Sequence, residues 1–405
     1  MKTTPLYEVH RSLGAKFAET HGWEVPAHYG DPVSEHLAVR KGVGIMDASH
    51  RGKVRISGRD RTTFLQKIVS QDVNKLTPGS GAYSTLLDVK GRMLAYMRIY
   101  CDEESFLIDT EPGLNETIVQ TLNHYLFREA VVIEDVTLKY GLVTIQGPRS
   151  RELLSRATGI GIANMAECAH FNPIINDIHC KVVKTTFTGE EGYDIYAPWD
   201  GLQTLWGWLT RKHKNNPPYS PFIKGGDSFP PPLEKGGKGG FDREFSDEIT
   251  LFGLDALETL RIEAGTPLYS IDMDEATIPI EAGLDHAISY SKGCYVGQET
   301  ISRIKFRGHV NRIFMGFTIN PPSTNNPTIP VKGERIYKMI HDIEHPIGVI
   351  TSACLSPTLN RPIALGYIRI EQSGPGEIVF IERGGQRLTA IVTRLPFVKK
   401  TLTMV

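Results

Sequence analysis

The sequence predicts an α+β fold, with antiparallel sheets backed by helices followed by a small all-β unit. Three observations predict it. Period-two apolar alternation and helical apolar stripes succeed one another irregularly over the first two hundred residues. Tight-turn signals join neighbouring strands as hairpins rather than βαβ units. Beyond about residue 310 only short strands separated by Pro and Gly remain.

In chain order, Lys53–Ser57 alternates around Val54 and Ile56 as a strand. Asp60 stands where it can cap a helix carrying Phe64, Leu65, Ile68 and Val69 on one face. Ala82–Leu87 and Met93–Tyr100 flank Asp88-Val-Lys-Gly91 and read as a hairpin, and Glu104–Asp109 is a further strand. Pro112 marks a helix start before the stripe Leu114, Ile118, Leu122, Tyr125 and Leu126. Val131–Asp135 and Leu138–Ile145 are strands, Gly147-Pro148 opens a helix through Leu153 and Leu154, and Asp255–Gly265 is helical. The all-β part comprises Arg312–Ile319, Gly348–Cys354, Ile363–Glu371, Glu377–Ile381 and Thr389–Thr393.

Between about residues 215 and 247 the pattern breaks, and twelve of those 33 residues are Gly or Pro. Such a stretch buries too little apolar surface to offset its ordering entropy, so a flexible surface insertion is expected there. Two regions follow: 1–309, holding two α+β subdomains and the insertion, and 310–405, a β-barrel domain.

Composition excludes several functions. A net charge of −1 gives no reason to expect nucleic acid or a membrane surface as partner. No apolar run is long enough to span a bilayer, and Pro5 with nearby charges interrupts any secretory leader. The five cysteines (Cys101, Cys168, Cys180, Cys294, Cys354) are odd in number and lack Cys-x-x-Cys pairs. A reducing, cytoplasmic location is expected, without a disulfide framework or an internal zinc site. His10, His36, His50, His286 and His309 match no metal-ligand spacing and are expected to be structural or surface residues.

Six stretches, in order, resemble the glycine-cleavage T-protein (aminomethyltransferase) superfamily. They are Thr4-Pro-Leu-Tyr7, Glu35-His-Leu-Ala-Val-Arg40, Gly44-Ile-Met-Asp-Ala-Ser-His50, Phe187-Thr-Gly-Glu-Glu-Gly-Tyr193, Leu260 through Tyr269, and Thr351 through Leu359 followed by Pro362-Ile-Ala-Leu365. A seventh, Lys292-Gly-Cys-Tyr-Val-Gly-Gln-Glu299 followed by Arg303 through Gly308, is similar to the signature of the YgfZ-type branch, as is Asp88-Val-Lys-Gly-Arg92. The resemblance implies a cloverleaf of sheet-and-helix domains around a central folate cavity. It implies tetrahydrofolate, or a one-carbon derivative of it, as cofactor. It also implies iron–sulfur client or assembly proteins as partners, tRNA-modifying enzymes among the clients. The alternative is folate-dependent aminomethyl or methyl transfer; whether the chain is an enzyme stays open at this point.

Departures from the T-protein pattern bear on that choice. The acidic pair of true T-proteins corresponds to Ala95 and Tyr96, and neither works as an acid or base near neutral pH. Asp88 or Asp109 remain as replacements. A folate-holding arginine corresponds to Leu257, and the pterin-gripping glutamate corresponds to Asp194.

A pterin edge donates two hydrogen bonds, which a carboxylate accepts in bidentate geometry. Asp194 is the candidate for that edge, Glu190 and Glu191 are the fallback, and Tyr96 belongs to the same pocket by resemblance. From the residues alone Thr188–Gly192 is rather a solvated turn. Folate's glutamyl tail needs basic partners, for which Arg361 and Arg261 are candidates; for Arg261 a structural ion pair is the better reading. Cys294 stands between Gly293 and Tyr295, with Lys292 two residues before it. Glycine-flanked loops are exposed, and a nearby ammonium favours the thiolate. Cys294 and Lys292 are therefore the candidate reactive pair. One cysteine cannot hold a cluster alone, so a transfer or repair role fits better than storage.

Overall fold

The computed structural model describes residues 1–211, 249–320 and 327–400. The predicted insertion at 215–247 lies outside the described residues.

Two sheets and a barrel carry the chain. A six-stranded sheet runs in the order His170–Phe171, Lys181–Lys184, Gly192–Pro198, Tyr140–Gln146, Val43–Asp47 and Ile249–Leu251. A five-stranded antiparallel sheet runs in the order Gly81–Leu87, Met93–Cys101, Ser105–Thr110, Gly52–Ser57 and Val132–Asp135. The last part is a closed barrel of Arg312–Ile319, Arg361–Arg369, Ile343–Ser356, Arg335–Ile340, Ile378–Arg383 and Gln386–Thr393. A small sheet at the N-terminus orders Lys2–Thr3, Trp23–His28 and Lys16–Thr20. This is the α+β class read from the sequence. No described helix is long and apolar enough to cross a membrane.

Each large sheet packs helices on one face and meets the other sheet on the opposite one, so the pleat decides which side chains face the helices and which face the second sheet. In the five-stranded sheet, Val54, Ile56, Ala95, Met97, Ile99 and Ile108 point at the helices Arg61–Gln66 and Leu114–His124, meeting Phe64, Leu65, Ile118 and Leu122. Full burial of such side chains contributes about 1.5–3 kcal/mol each. Ala95 therefore belongs to the core, and Tyr96 emerges on the opposite face. In the six-stranded sheet, Ile45, Val143, Ile145, Tyr193 and Ile195 pack against Leu153, Leu154, Leu205 and Trp206 of the helices Ser150–Thr158 and Leu202–Leu209. Ile262 of the helix Leu254–Ala264 joins Phe314, Ile363, Leu365 and Tyr367, fastening that helix to the barrel.

Local readings differ in places. Asp60 precedes its helix but makes no side-chain cap; its carboxylate accepts from the Ala130 amide at 2.7 Å instead. The barrel strand Arg335–Ile340 carried no clear alternation and escapes a sequence reading.

Two glycines dock the Lys292–Glu299 loop onto the Asp88–Arg92 hairpin. Gly297 sits at φ +81°, ahead of the helix Gln298–Arg307, and a Cβ there would lie 2.6 Å from the Asp88 carbonyl. Gly91, at φ +76°, would meet Thr300 at 3.0 Å. Both positions combine left-handed backbone with close approach, which only glycine meets without strain. The two stretches that resemble the YgfZ-type branch are thus neighbours in space.

Candidate functional site

A cavity of about 340 Å³ opens where the two large sheets face one another. Its walls come from Met46 and Thr144 of one sheet, Tyr96, Arg98 and Asp109 of the other, Phe187 of the loop before Gly192, and Leu257, Glu258 and Arg261 of the helix Leu254–Ala264.

Strand register explains the polar floor. Arg98 and Asp109 are direct cross-strand partners, so both project from the same face of the five-stranded sheet. Thr144 and Asp194 are partners in the six-stranded sheet, and Tyr196 follows Asp194 by two residues on that face. The two faces meet. Arg98 donates to Asp109 at 2.6 Å and stands 3.3 Å from Asp194, and the Tyr196 hydroxyl donates to Asp109 at 2.8 Å. Arg51 adds a second guanidinium to Asp109 at 2.6 Å and reaches Glu111 at 2.7 Å. The Phe187 ring lies over both guanidiniums, 4.8 Å from that of Arg51 and 4.6 Å from that of Arg98.

The two buried aspartates are opposites electrostatically. Burial alone would raise the Asp109 carboxyl, but Arg51 and Arg98 hold it far below the usual range. It is a fixed anion, which rules it out as the replacement acid. Burial raises Asp194 and the Asp109 anion adds to that, while the charge of Arg98 and the adjacent Thr144 hydroxyl oppose it only in part. Both Asp194 oxygens lack a hydrogen-bond partner among the described residues. The 3.3 Å approach of Arg98 is an ion-pair contact without hydrogen-bond geometry. An orphaned carboxyl in a protein interior costs about 1–3 kcal/mol and asks for a donor. Asp194 lies just behind the lining, with Thr144 beside it and Arg98 in front.

His50 lines the cavity too. It is buried, its Nδ1 has no partner among the described residues, and burial pushes it down to about 3, so it is neutral at physiological pH. Tyr96 stacks on Tyr83 with centroids 5.6 Å apart and an 11° tilt, and its hydroxyl stands 3.0 Å from His286 Nε2. Arg98, Arg51, Phe187, Tyr83 and His50 escaped the sequence reading as site residues. The signal for Arg98 was present: a charged residue in the apolar run Met97–Tyr100 either disrupts a core or faces something charged.

The other sequence candidates disperse. Glu190 is buried and binds Arg40 at 3.0 Å. Arg40 also holds Glu263 at 2.8 Å and the Thr188 carbonyl at 2.8 Å, so Glu190 ties the turn to the helix Leu254–Ala264 rather than facing the cavity. Glu191 is held by Arg151 at 2.7 Å and Lys184 at 2.9 Å. Arg361 is exposed at the start of a barrel strand and does not line the cavity. Arg261 does line it, but is clamped by Glu258 at 2.6 Å and Asp272 at 2.8 Å. Leu257, at the expected arginine position, supplies apolar wall. Asp88 accepts from the Lys90 and Arg92 amides, which makes it part of the hairpin turn.

Cys294 is exposed, on a loop outside the cavity lining. The pairing with Lys292 expected from the sequence is corrected. The Lys292 ammonium is turned inward, donating to the Val69 carbonyl at 2.6 Å and the Gln71 carbonyl at 2.9 Å. Burial lowers it to about 8. It anchors the loop to the turn after the Arg61–Gln66 helix.

Comparison with known proteins agrees with this architecture. Residues 6–216 match the family model of the GCVT N-terminal domain, and residues 312–399 match the glycine cleavage T-protein C-terminal barrel domain. An aminomethyltransferase from Chloroherpeton thalassium is 30% identical over 99% of this chain and 99% of its own length. One from Halothermothrix orenii is 28% identical over 98% of this chain and 100% of its own. The crystal structure of glycine cleavage system aminomethyltransferase T from Bartonella henselae superposes with a TM-score of 0.80 at 25% identity, covering 98% of each chain. The chain belongs to the glycine cleavage T-protein family.

Proposed function

We propose that the cavity binds a tetrahydrofolate, with the amino-pyrimidinone edge of the pterin on Asp194. The orphaned carboxyl carries this reading. Two N–H donors on the ligand satisfy both of its oxygens and favour its ionised form. Neutral His50, Phe187 and the Tyr83–Tyr96 stack offer flat surfaces to the rings. Because Asp194 lies behind the lining, Arg98 or Phe187 shifts as the pterin enters. The test is a titration with tetrahydrofolate: wild type binds, and Asp194→Asn weakens binding by about ten- to a hundredfold. Equal affinity in both proteins would remove Asp194 from the site.

Two readings of what the bound folate does share this site. Aminomethyl transfer to tetrahydrofolate is the one that the named relatives support, over the whole length of the chain. The second is the YgfZ-type role, a folate-bound accessory factor for assembly or repair of iron–sulfur enzymes. It is favoured by Ala95 buried in the core, Tyr96 in place of a carboxylate on the cavity wall, and the exposed thiol of Cys294 on the neighbouring loop. An aminomethyl-loaded lipoyl carrier protein separates them. Formation of methylenetetrahydrofolate at a physiological rate supports transfer. Absence of product, together with a deletion strain whose cluster enzymes recover with wild type but not with Cys294→Ala, supports the accessory role.

A further inference from the structure

A second cavity, of about 580 Å³, lies on the outer face of the barrel, where Glu281 and Asn311 meet Arg312, Arg335, Val349, Tyr367 and Arg369. Strand register places its charges together. Arg312 is the direct partner of Arg369, and Phe314 that of Tyr367. Val349 is opposite both Tyr367 and Arg335. Partners across a ladder, and residues two apart along a strand, share a face, so three guanidiniums surround Val349 and Tyr367 on one side of the barrel.

Their charge is incompletely matched. Glu281 accepts from Arg312 at 3.1 Å, and Arg312 stacks on the Tyr367 ring at 4.6 Å. Arg335 and Arg369 are exposed and have no acidic partner among the described residues. Nearby basic side chains of the same barrel do have one: Arg383 has Glu334, Arg387 has Glu344 and Lys338 has Glu377. Like charges placed directly across a ladder, as Arg312 and Arg369 are, disfavour the pairing unless an anion comes between them. Guanidinium forks around an apolar floor fit an oxyanion attached to a flat or apolar body.

We propose that this cleft is a second ligand site, separate from the folate cavity, that takes a small polyanion through carboxylate or phosphate oxygens held by Arg335 and Arg369. The proposal does not depend on what the central cavity binds. Calorimetric titration of the full chain with pyrophosphate and, separately, with citrate tests it and distinguishes the two oxyanion sources. Wild type binds one equivalent of at least one probe, more weakly as salt is added. The double variant R335Q/R369Q weakens that binding at least about tenfold, with an unchanged melting temperature and unchanged tetrahydrofolate affinity. R335K/R369K, which keeps the charge but loses the forks, retains part of it. The proposal fails if neither probe binds wild type, if the glutamine variant binds equally well, or if tetrahydrofolate displaces the probe.

Discussion

Arg98 approaches Asp194 to 3.3 Å yet leaves both of its oxygens without a hydrogen bond, because Nε and Nη2 donate to Asp109 and Nη1, the nitrogen that faces Asp194, donates to the Thr185 hydroxyl. One cation thus serves two carboxyls unequally, creating a fixed anion beside an unsatisfied acid. A ligand donor entering the cavity would satisfy that acid more fully than the neighbouring Thr144 hydroxyl does.

The first prediction concerns stability without ligand. Asp194→Asn raises the stability of the ligand-free protein at neutral pH by about 1–3 kcal/mol, while lowering tetrahydrofolate affinity. The sign follows from the raised carboxyl. The penalty on wild type is full above the folded value and fades as pH falls toward the unfolded value of 3.8, so the gap between variant and wild type closes in acid. Denaturant titrations of both proteins across pH measure it; a variant less stable at neutral pH contradicts the orphaned carboxyl.

Glu263 works in the opposite sense. Burial would raise it, but hydrogen bonds from His36 and Ser356 and the charge of Arg40 bring it down to about 2 from the ordinary 4.5. Its contribution is fully present above 4.5 and is lost as pH falls toward 2. Arg40→Met leaves Glu263 without its guanidinium and removes one partner of Glu190, costing about 3–5 kcal/mol. Thermal melts at neutral pH and in acid check both statements.

Gly297→Ala forces a side chain into left-handed backbone against the Asp88 carbonyl, 2.6 Å away. The expected loss is about 1–3 kcal/mol, with the Gln298–Arg307 helix loosening first. Hydrogen exchange localises the effect. Uniform protection across that helix in the variant would mean the loop is not held by this contact.

Tyr96→Asp returns a carboxylate to the cavity wall at a position corresponding to the acidic pair of true T-proteins. If the missing acid is what limits transfer, methylenetetrahydrofolate formation from an aminomethyl-loaded lipoyl carrier rises by about a hundredfold over wild type. Ala95→Asp buries the new charge in the core instead and destabilises the protein without activity. An inactive Tyr96→Asp that still binds tetrahydrofolate shows that more than the acid has been lost.

Much was legible from one strand at a time. Alternation and turn signals identified the strands of the five-stranded sheet, but of the six-stranded sheet only Tyr140–Gln146; Val43–Asp47 and Gly192–Pro198 are buried along nearly their whole length and leave no alternation to read, and the helix Leu202–Leu209 escapes the reading as well. Helical stripes identified most of the other packing helices, and Pro and Gly spacing most of the barrel. These patterns record which side of an element is wet, and that is a local property. The resemblance brought Asp194 forward; on the residues alone its neighbourhood reads as a solvated turn. What one strand cannot reveal is its partner's register. Arg98 finds Asp109 across eleven positions of sequence and Asp194 across nearly a hundred, and only the meeting of two sheet faces makes one acid satisfied and the other not. The same holds for Lys292, two residues before Cys294 in sequence but turned by tertiary packing toward two carbonyls more than two hundred residues away. Sequence determined the elements and their buried faces; the third dimension decided which charges share a dry interior, because desolvation and pairing depend on what stands opposite, not on what stands next.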